Sequence, residues 1–270
     1  AQEDRPWYSA GKTLTALTMG IAQEDGFLSL DDSSKMYLGE GWTSMTTEQE
    51  DAVTVRDHIT MTTGLDYTNI LTQFCTLPAC LSYLNEPGTF WYYHNAPYTL
   101  SQNIISGATG QAFENYFNSK IKDKIGMNGY WQAENFNVFY YSQARSMARF
   151  GLLILNEGLW EDVPLITDSS YFSDMVNSSQ TMNPAYGYLW WLNGKNSYRL
   201  PGSTDVFPGE LIPNAPDDLF TGLGFADQKL YVVPSLDLVV IRMGDAADSS
   251  EFGPSGFDNS LWEKLNTVIQ

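Results

Sequence analysis

Positive charge is scarce in this chain. Against 32 Asp and Glu stand only 14 Lys and Arg, a formal net charge of −18 over 270 residues. The basic residues are scattered and form no stripe, which excludes a nucleic-acid footprint, and such a surface repels polyphosphate ligands. Long apolar runs are missing too: none approaches the length of a membrane-spanning helix. The chain opens on polar AQEDRPW, without the apolar core of a signal peptide, as expected of a mature or trimmed protein. Histidines number two and cysteines two, and their spacing matches no common zinc pattern. Cys75 and Cys80, separated by TLPA, are expected to form a short-loop disulfide, the alternative being two reduced, buried thiols. A disulfide places the protein in the periplasm or outside the cell. Internal repeats and low-complexity linkers are absent.

What is present is ample material for a core: 43% apolar and 14% aromatic residues. That suits one large domain or two closely packed lobes. The hydrophobic period changes along the chain. From Ser9 to Asp25, Leu14, Leu17 and Ile21 recur at helical spacing, and Gly26 is a stop. TVRD at 54–57 reads as a capping box opening a short helix that ends at Gly64. Residues 98–120 read as two helices broken near Gly110. Residues 142–158 read as another, with Ala144, Ala148, Leu152 and Leu155 on one side. After residue 185 the pattern turns to strands. Tyr186, Tyr188 and Trp190 alternate toward the Asn193-Gly194 turn, and KLYVVPSLDLVVIRMG reads as two strands joined at Pro234-Ser235. The last stretch is helical, with Leu261, Leu265 and Val268 aligned. The expected fold is α+β: an antiparallel sheet with helices packed on it, an inserted helical lobe, and a cleft between them for chemistry.

The stretch SAGKT near the start admits two readings. A phosphate loop needs G-x-x-x-x-G-K-[ST], but five residues before Gly11 stands Pro6, and nothing upstream makes a buried strand. The other reading is a serine with a lysine three residues on. Ser9 and Lys12 then share a helix face, and free N–H groups at the helix start favour developing negative charge. Burial lowers the pKa of such a lysine, so that it can take the serine proton. Ser119–Lys122 repeats the spacing in a charged stretch and reads as a solvated face.

Companions decide between them. FWYYHNAPYTL carries a Y-x-N element at Tyr93-His94-Asn95. With VTVRDHITMTTGLDYT, GFLSLDD and YVVPSLDLVVIRMG, these segments resemble the serine β-lactamase-like family of class C β-lactamases, penicillin-binding DD-peptidases and related esterases and amidases. The resemblance runs from Pro6 to the final helix. It implies a β-lactamase/transpeptidase-like fold, with 1–33 and 180–270 as the sheet lobe carrying the nucleophile helix and 34–179 as the inserted lobe. It implies Ser9 as nucleophile, Lys12 as its proton partner, and Tyr93 as the second acid/base. Asn95 would bind a substrate amide and orient Lys12. The third family element, on the strand lining the cleft, falls at Gly222-Leu223-Gly224. There the glycines permit close approach of substrate to the backbone, and the N–H of Phe225 pairs with that of Ser9 as an oxyanion hole. The family's leading lysine or histidine is absent here, so hydrolysis of an uncharged or poorly anionic ester, or of an amide, is expected over efficient penicillin turnover. The aromatics at 90–93, Trp190 and Trp191 suit an apolar acyl group or plain core packing.

The resemblance also implies a strand hairpin before the nucleophile helix. Only eight residues precede Ser9, so those strands are expected to be missing from this sequence. No metal or organic cofactor is implied. The rival reading is a non-catalytic relative that binds peptidoglycan or another ligand; a third is a DD-peptidase or polymer-amide hydrolase. His94 has no family role, and His58 reads as structural or exposed. GPSGF misses a nucleophile elbow. DAADSSE at 245–251 reads as a solvated acidic loop rather than a calcium site. Glu24, Asp25, Asp31 and Asp32 form no acid pair.

Overall fold

The computed structural model describes residues 3–247 and 253–269. In chain order, strand β1 (Arg5–Pro6) leads through a 3₁₀ turn at Tyr8–Gly11 into helix α1 (Lys12–Glu24), which ends before Gly26 at φ 79°. Helix α2 (Val55–Thr60) follows, then α3 (Asn95–Thr109) and α4 (Phe113–Phe117), separated at Gly110, φ 68°. A hairpin of β2 (Tyr130–Glu134) and β3 (Asn137–Ser142) precedes helix α5 (Ala144–Leu155). The main sheet comes late: β4 (Trp191–Leu192), β5 (Phe220–Gly224), β6 (Gln228–Val233) and β7 (Leu238–Arg242), closed by helix α6 (Gly256–Leu265). The fold is α+β, with antiparallel sheets and packed helices.

Two sheets position the chemistry. The smaller has the order β1-β3-β2, and Arg5 and Pro6 pair with Ser142 and Tyr141. The larger has the order β7-β6-β5-β4, antiparallel throughout. All six residues of β6 are buried, as expected of a strand covered on both faces. Helix α5 lies against β6 and β7 at Gly151, where a Cβ would come 2.5 Å from Val239 Cγ1.

Helix α1 runs through the middle. Lys12 to Ala22 are all buried, so its apolar stripe has become a full circumference. Thr13 and Thr18 sit in this core because their hydroxyls donate back to the carbonyls of Ala10 and Leu14 at 2.7 Å. Gly20 lets the Tyr171 ring lie on the helix: an added Cβ would stand 2.2 Å from Cε1.

Several expectations need correction. Helix α2 opens on the reciprocal Thr54–Asp57 capping box but stops at Thr60, because Met61 turns left-handed (φ 62°) before Gly64 is reached. The buried face of α5 is Met147, Phe150 and Ile154, while Leu152 is 43% exposed. Tyr186, Tyr188 and Trp190 do not form a strand. Leu189 at φ 61° folds the chain back so that Tyr186 bridges Trp191. Val268 lies past the end of α6 and faces solvent. The β2–β3 hairpin was not anticipated. Cys75 and Cys80 form the expected disulfide. The acidic stretch 245–251 runs outside the described residues from 248 on.

Candidate active site

Ser9 is set in place from its N-terminal side. Trp7 is fully buried; its backbone N–H donates to Tyr140 O and its indole N–H to Ser142 Oγ, both at 2.8 Å. Tyr8 then takes a left-handed conformation at φ 47°, a cost that persists only where surrounding structure enforces it. The chain enters the 3₁₀ turn, and Ala10 N–H closes on Trp7 O at 3.0 Å. This presents Ser9 immediately ahead of α1.

Lys12 sits one turn on and is 2% exposed. Its Nζ donates to Ser9 Oγ at 3.2 Å and to Asn95 Oδ1 at 2.9 Å. The ammonium also lies 4.0 Å from the ring centroid of Tyr98 and 5.2 Å from that of Tyr93. Burial lowers its pKa to about 7, so a large fraction is neutral near neutrality. Tyr93 is buried, stacked on Trp191 at 5.7 Å, and touches Trp91 and Tyr186. Burial pushes its phenol pKa well up, against a hydrogen bond with Ser9 that lowers it. Tyr93 is therefore a neutral phenol, a proton donor rather than a standing phenolate. The expected groups Ser9, Lys12, Tyr93 and Asn95 are thus gathered in one place.

Asn95 opens α3, and the next amide, Ala96 N–H, donates to Gln73 O at 3.0 Å. Tyr98 lies one turn further on the same face, and burial raises its pKa to about 12. Sequence reading missed Tyr98; its i+3 spacing from Asn95 was the available signal. His94, between Tyr93 and Asn95, is 3% exposed, and burial lowers its pKa to about 4. His58 is likewise buried, with Nδ1 2.8 Å from Pro97 O. Ser119 of the second Ser–Lys pair is exposed and donates to Tyr116 O at 2.9 Å, away from this cluster.

The glycines of β5 face the turn that carries Ser9. An added Cβ at Gly224 would stand 2.3 Å from Trp7 O, and one at Gly222 would stand 3.0 Å from Thr13 Cγ2. They allow the strand to approach the Tyr8–Gly11 turn itself. The register of Phe225 follows from the strand. Leu219 O accepts Asn193 N–H at 2.9 Å, so odd-numbered residues of β5 direct backbone groups toward the β4 side. Gly224 is extended (φ −111°, ψ 159°), which carries the alternation to the Phe225 amide, past the end of β4. Beyond it the chain turns through Ala226 and Asp227, both left-handed at φ 53° and 56°. Arg242 Nη1 holds that turn by donating to Ala226 O at 3.0 Å and Asp227 O at 3.1 Å. The Asp227 carboxylate accepts from Ser255 Oγ at 2.8 Å and meets Lys229 Nζ at 3.2 Å. Lys229 Nζ is also 3.0 Å from Asp258, entirely buried, and so supplies no cation to the cleft.

Ser9, Tyr93 and Asn95 line a cavity of about 490 Å³ whose apolar wall includes Ile70, Phe74, Tyr92, Phe139 and Phe225. Among the described residues no Lys or Arg lines it. Trp190 and Trp191 belong to the core behind it, where Trp190 packs on Phe150 and Phe220.

The Beta-lactamase family profile matches residues 5–259. The chain is similar in structure to a penicillin-binding protein homologue from Caulobacter crescentus, with TM-score 0.74 and 14% identity over 100% of this chain and 84% of that one. It is similar to a family VIII carboxylesterase, with TM-score 0.70 and 14% identity over 97% and 83%. A D-stereospecific amidohydrolase from Streptomyces sp. gives TM-score 0.61 and 15% identity over 89% and 81%. At these identities the likeness is one of fold. No curated protein matches the chain in sequence.

Proposed function

The chain belongs to the beta-lactamase family of serine hydrolases, and from that premise we propose that it cleaves an ester or amide through an acyl-enzyme on Ser9. The observation that carries the reading is the buried Lys12 ammonium held between Ser9 Oγ and Asn95 Oδ1, with its pKa lowered to about 7. Neutral Lys12 takes the Ser9 proton as Oγ bonds to the substrate carbonyl carbon. The resulting oxyanion meets the amides of Ser9 and Phe225. When the carbonyl re-forms, the bond to the leaving oxygen or nitrogen breaks, and the Tyr93 hydroxyl supplies that atom's proton, replenished from Lys12. Water then attacks the acyl carbon, its proton following the same path, and the acid departs.

Esters with uncharged apolar groups fit the cavity better than penicillins. A penicillin brings a carboxylate, while among the described residues no Lys or Arg lines the site and the chain carries a net charge of −18. The Cys75–Cys80 disulfide suits a periplasmic or secreted protein. The test is mass labelling with a fluorophosphonate: one adduct on Ser9 is expected, lost in Ser9→Ala. An adduct elsewhere that survives Ser9→Ala overturns the assignment.

A further inference from the structure

The loop that forms one lip of the cavity is apolar to an unusual degree for its exposure. Ile70, Leu71, Phe74 and Leu77 are 71%, 87%, 45% and 56% exposed. Single exposed apolar residues are ordinary, but four large ones within eight positions form a patch. The nineteen residues from Tyr67 to Asn85 carry no Asp, Glu, Lys, Arg or His, in a chain of net charge −18.

These side chains are not free to fold inward. Gln73, 5% exposed, donates through Nε2 to Tyr67 O at 2.9 Å and lies 3.1 Å from the Tyr92 hydroxyl. Its carbonyl accepts Ala96 N–H, and Asn69 Oδ1 accepts Leu71 N–H at 3.0 Å. The Cys75–Cys80 disulfide closes the far end, with Cys75 buried. The polar and sulfur groups are thus turned in as anchors while the aliphatic and aromatic groups are held out. The patch is also continuous with the site, since Ile70 and Phe74 line the cavity that holds Ser9.

We propose that this loop, 69–80, docks the enzyme on the surface of a water-insoluble, uncharged ester, so that substrate passes from the aggregate directly to Ser9. The inference rests on the Ser9 hydrolase reading and names its substrate class. An anionic surface is disfavoured by the charge of the chain; a neutral ester droplet is not. Burying Leu71 and Leu77 in such a phase recovers the hydrophobic free energy that their exposure in water forgoes.

The probe is tributyrin, first as droplets with the Ser9→Ala protein, the bound fraction being read after flotation in sucrose denser than the droplets. Adsorption is expected, weakened about tenfold by each of Leu71→Ser and Leu77→Ser. Failure to adsorb, or adsorption indifferent to the double substitution, overturns the proposal. A solution dimer that the same substitutions dissolve, without droplet binding, assigns the patch to self-association and also overturns it. With active enzyme, the rate on tributyrin is expected to climb steeply past its solubility limit. The ratio of droplet rate to dissolved-ester rate should fall about tenfold per leucine. A rate that saturates below that limit overturns the proposal. Because flotation uses Ser9→Ala, it judges the surface independently of hydrolysis. Absence of all hydrolysis by the active chain counts instead against the Ser9 reading.

Discussion

Lys12 Nζ lies 4.0 Å from the ring centroid of Tyr98, so a π face supports the ammonium where a carboxylate would otherwise be expected. Burial lowers the Lys12 pKa to about 7, and the ring opposes that loss. Activity should therefore rise with pH through about 7 as Lys12 loses its proton, then level off. Tyr98→Leu removes the cation–π contact, worth about 0.5–2 kcal/mol, and should move this limb to lower pH by roughly one unit. A pH profile of kcat/KM on a dissolved nitrophenyl ester reads both. An unmoved limb in Tyr98→Leu removes the ring from the account.

Tyr93→Phe keeps the stack on Trp191 and deletes only the hydroxyl. Loss of the proposed proton donor should cut kcat by about 10²–10⁴-fold with little change in KM. Asn95→Ala frees Lys12 on one side and should lower kcat while changing the pH limb as well. Steady-state kinetics on an alkyl ester separate the two, because a good leaving group needs less help from Tyr93.

The same lysine carries a stability cost. Its folded pKa of about 7 lies below the 10.5 of an exposed lysine, so between these pH values the unfolded chain holds more protons than the folded one. Stability from this group therefore rises with pH across that window and is lowest below pH 7. Lys12→Met, although inactive, should be the more stable protein at pH 6, by roughly 2 kcal/mol once Asn95 has lost its partner. The two curves should converge toward pH 10. Denaturant melts at both pH values test it, and a variant less stable at pH 6 refutes it.

His58 and His94 act in a lower window. Burial lowers both to about 4 from 6.5. Each favours the folded state above pH 6.5, and that contribution is lost as the pH falls toward 4, by roughly 3 kcal/mol per histidine. His58→Phe should flatten the acid limb of the melting curve between pH 6.5 and 4. Circular dichroism melts across that range are the measurement.

Lys229 sits between Asp227 and Asp258, with all three side chains buried. Lys229→Met leaves two buried carboxylates without their cation and should destabilise the fold by about 3–5 kcal/mol. The Asp227 turn follows Phe225 directly, so kcat should fall in the folded fraction as well. Thermal melts and active-site titration of the same sample distinguish the two effects.

Local signals carried much of this arrangement. Ser9 and Lys12 are three residues apart, and the Thr54–Asp57 capping box and the β6–β7 hairpin are written in neighbouring residues. What stayed hidden depends on residues far apart in the chain. The alternation of Tyr186, Tyr188 and Trp190 suits a strand, but the left-handed Leu189 that folds it back is stabilised by distant packing. The packing of Gly224 against Trp7 O and of Gly222 against Thr13 likewise joins stretches about two hundred residues apart, which nothing local reveals. The buried face of α5 was displaced because β6 and β7, which begin well over half a hundred residues after the helix ends, decide which side is covered. The β2–β3 hairpin did leave a trace, an Asn135 turn (φ 56°) between aromatic runs.

The fastening of Trp7 to Tyr140 and Ser142 makes the Ser9 hydroxyl a tenant of two distant stretches of polypeptide. One brings the oxygen; the other, reached by Trp7 at Ser142 135 residues downstream, determines where it stands. A loosened hairpin at 130–142 would leave every reacting group chemically intact and still misaim the attack, so damage at that remote seam would masquerade as a defect in chemistry.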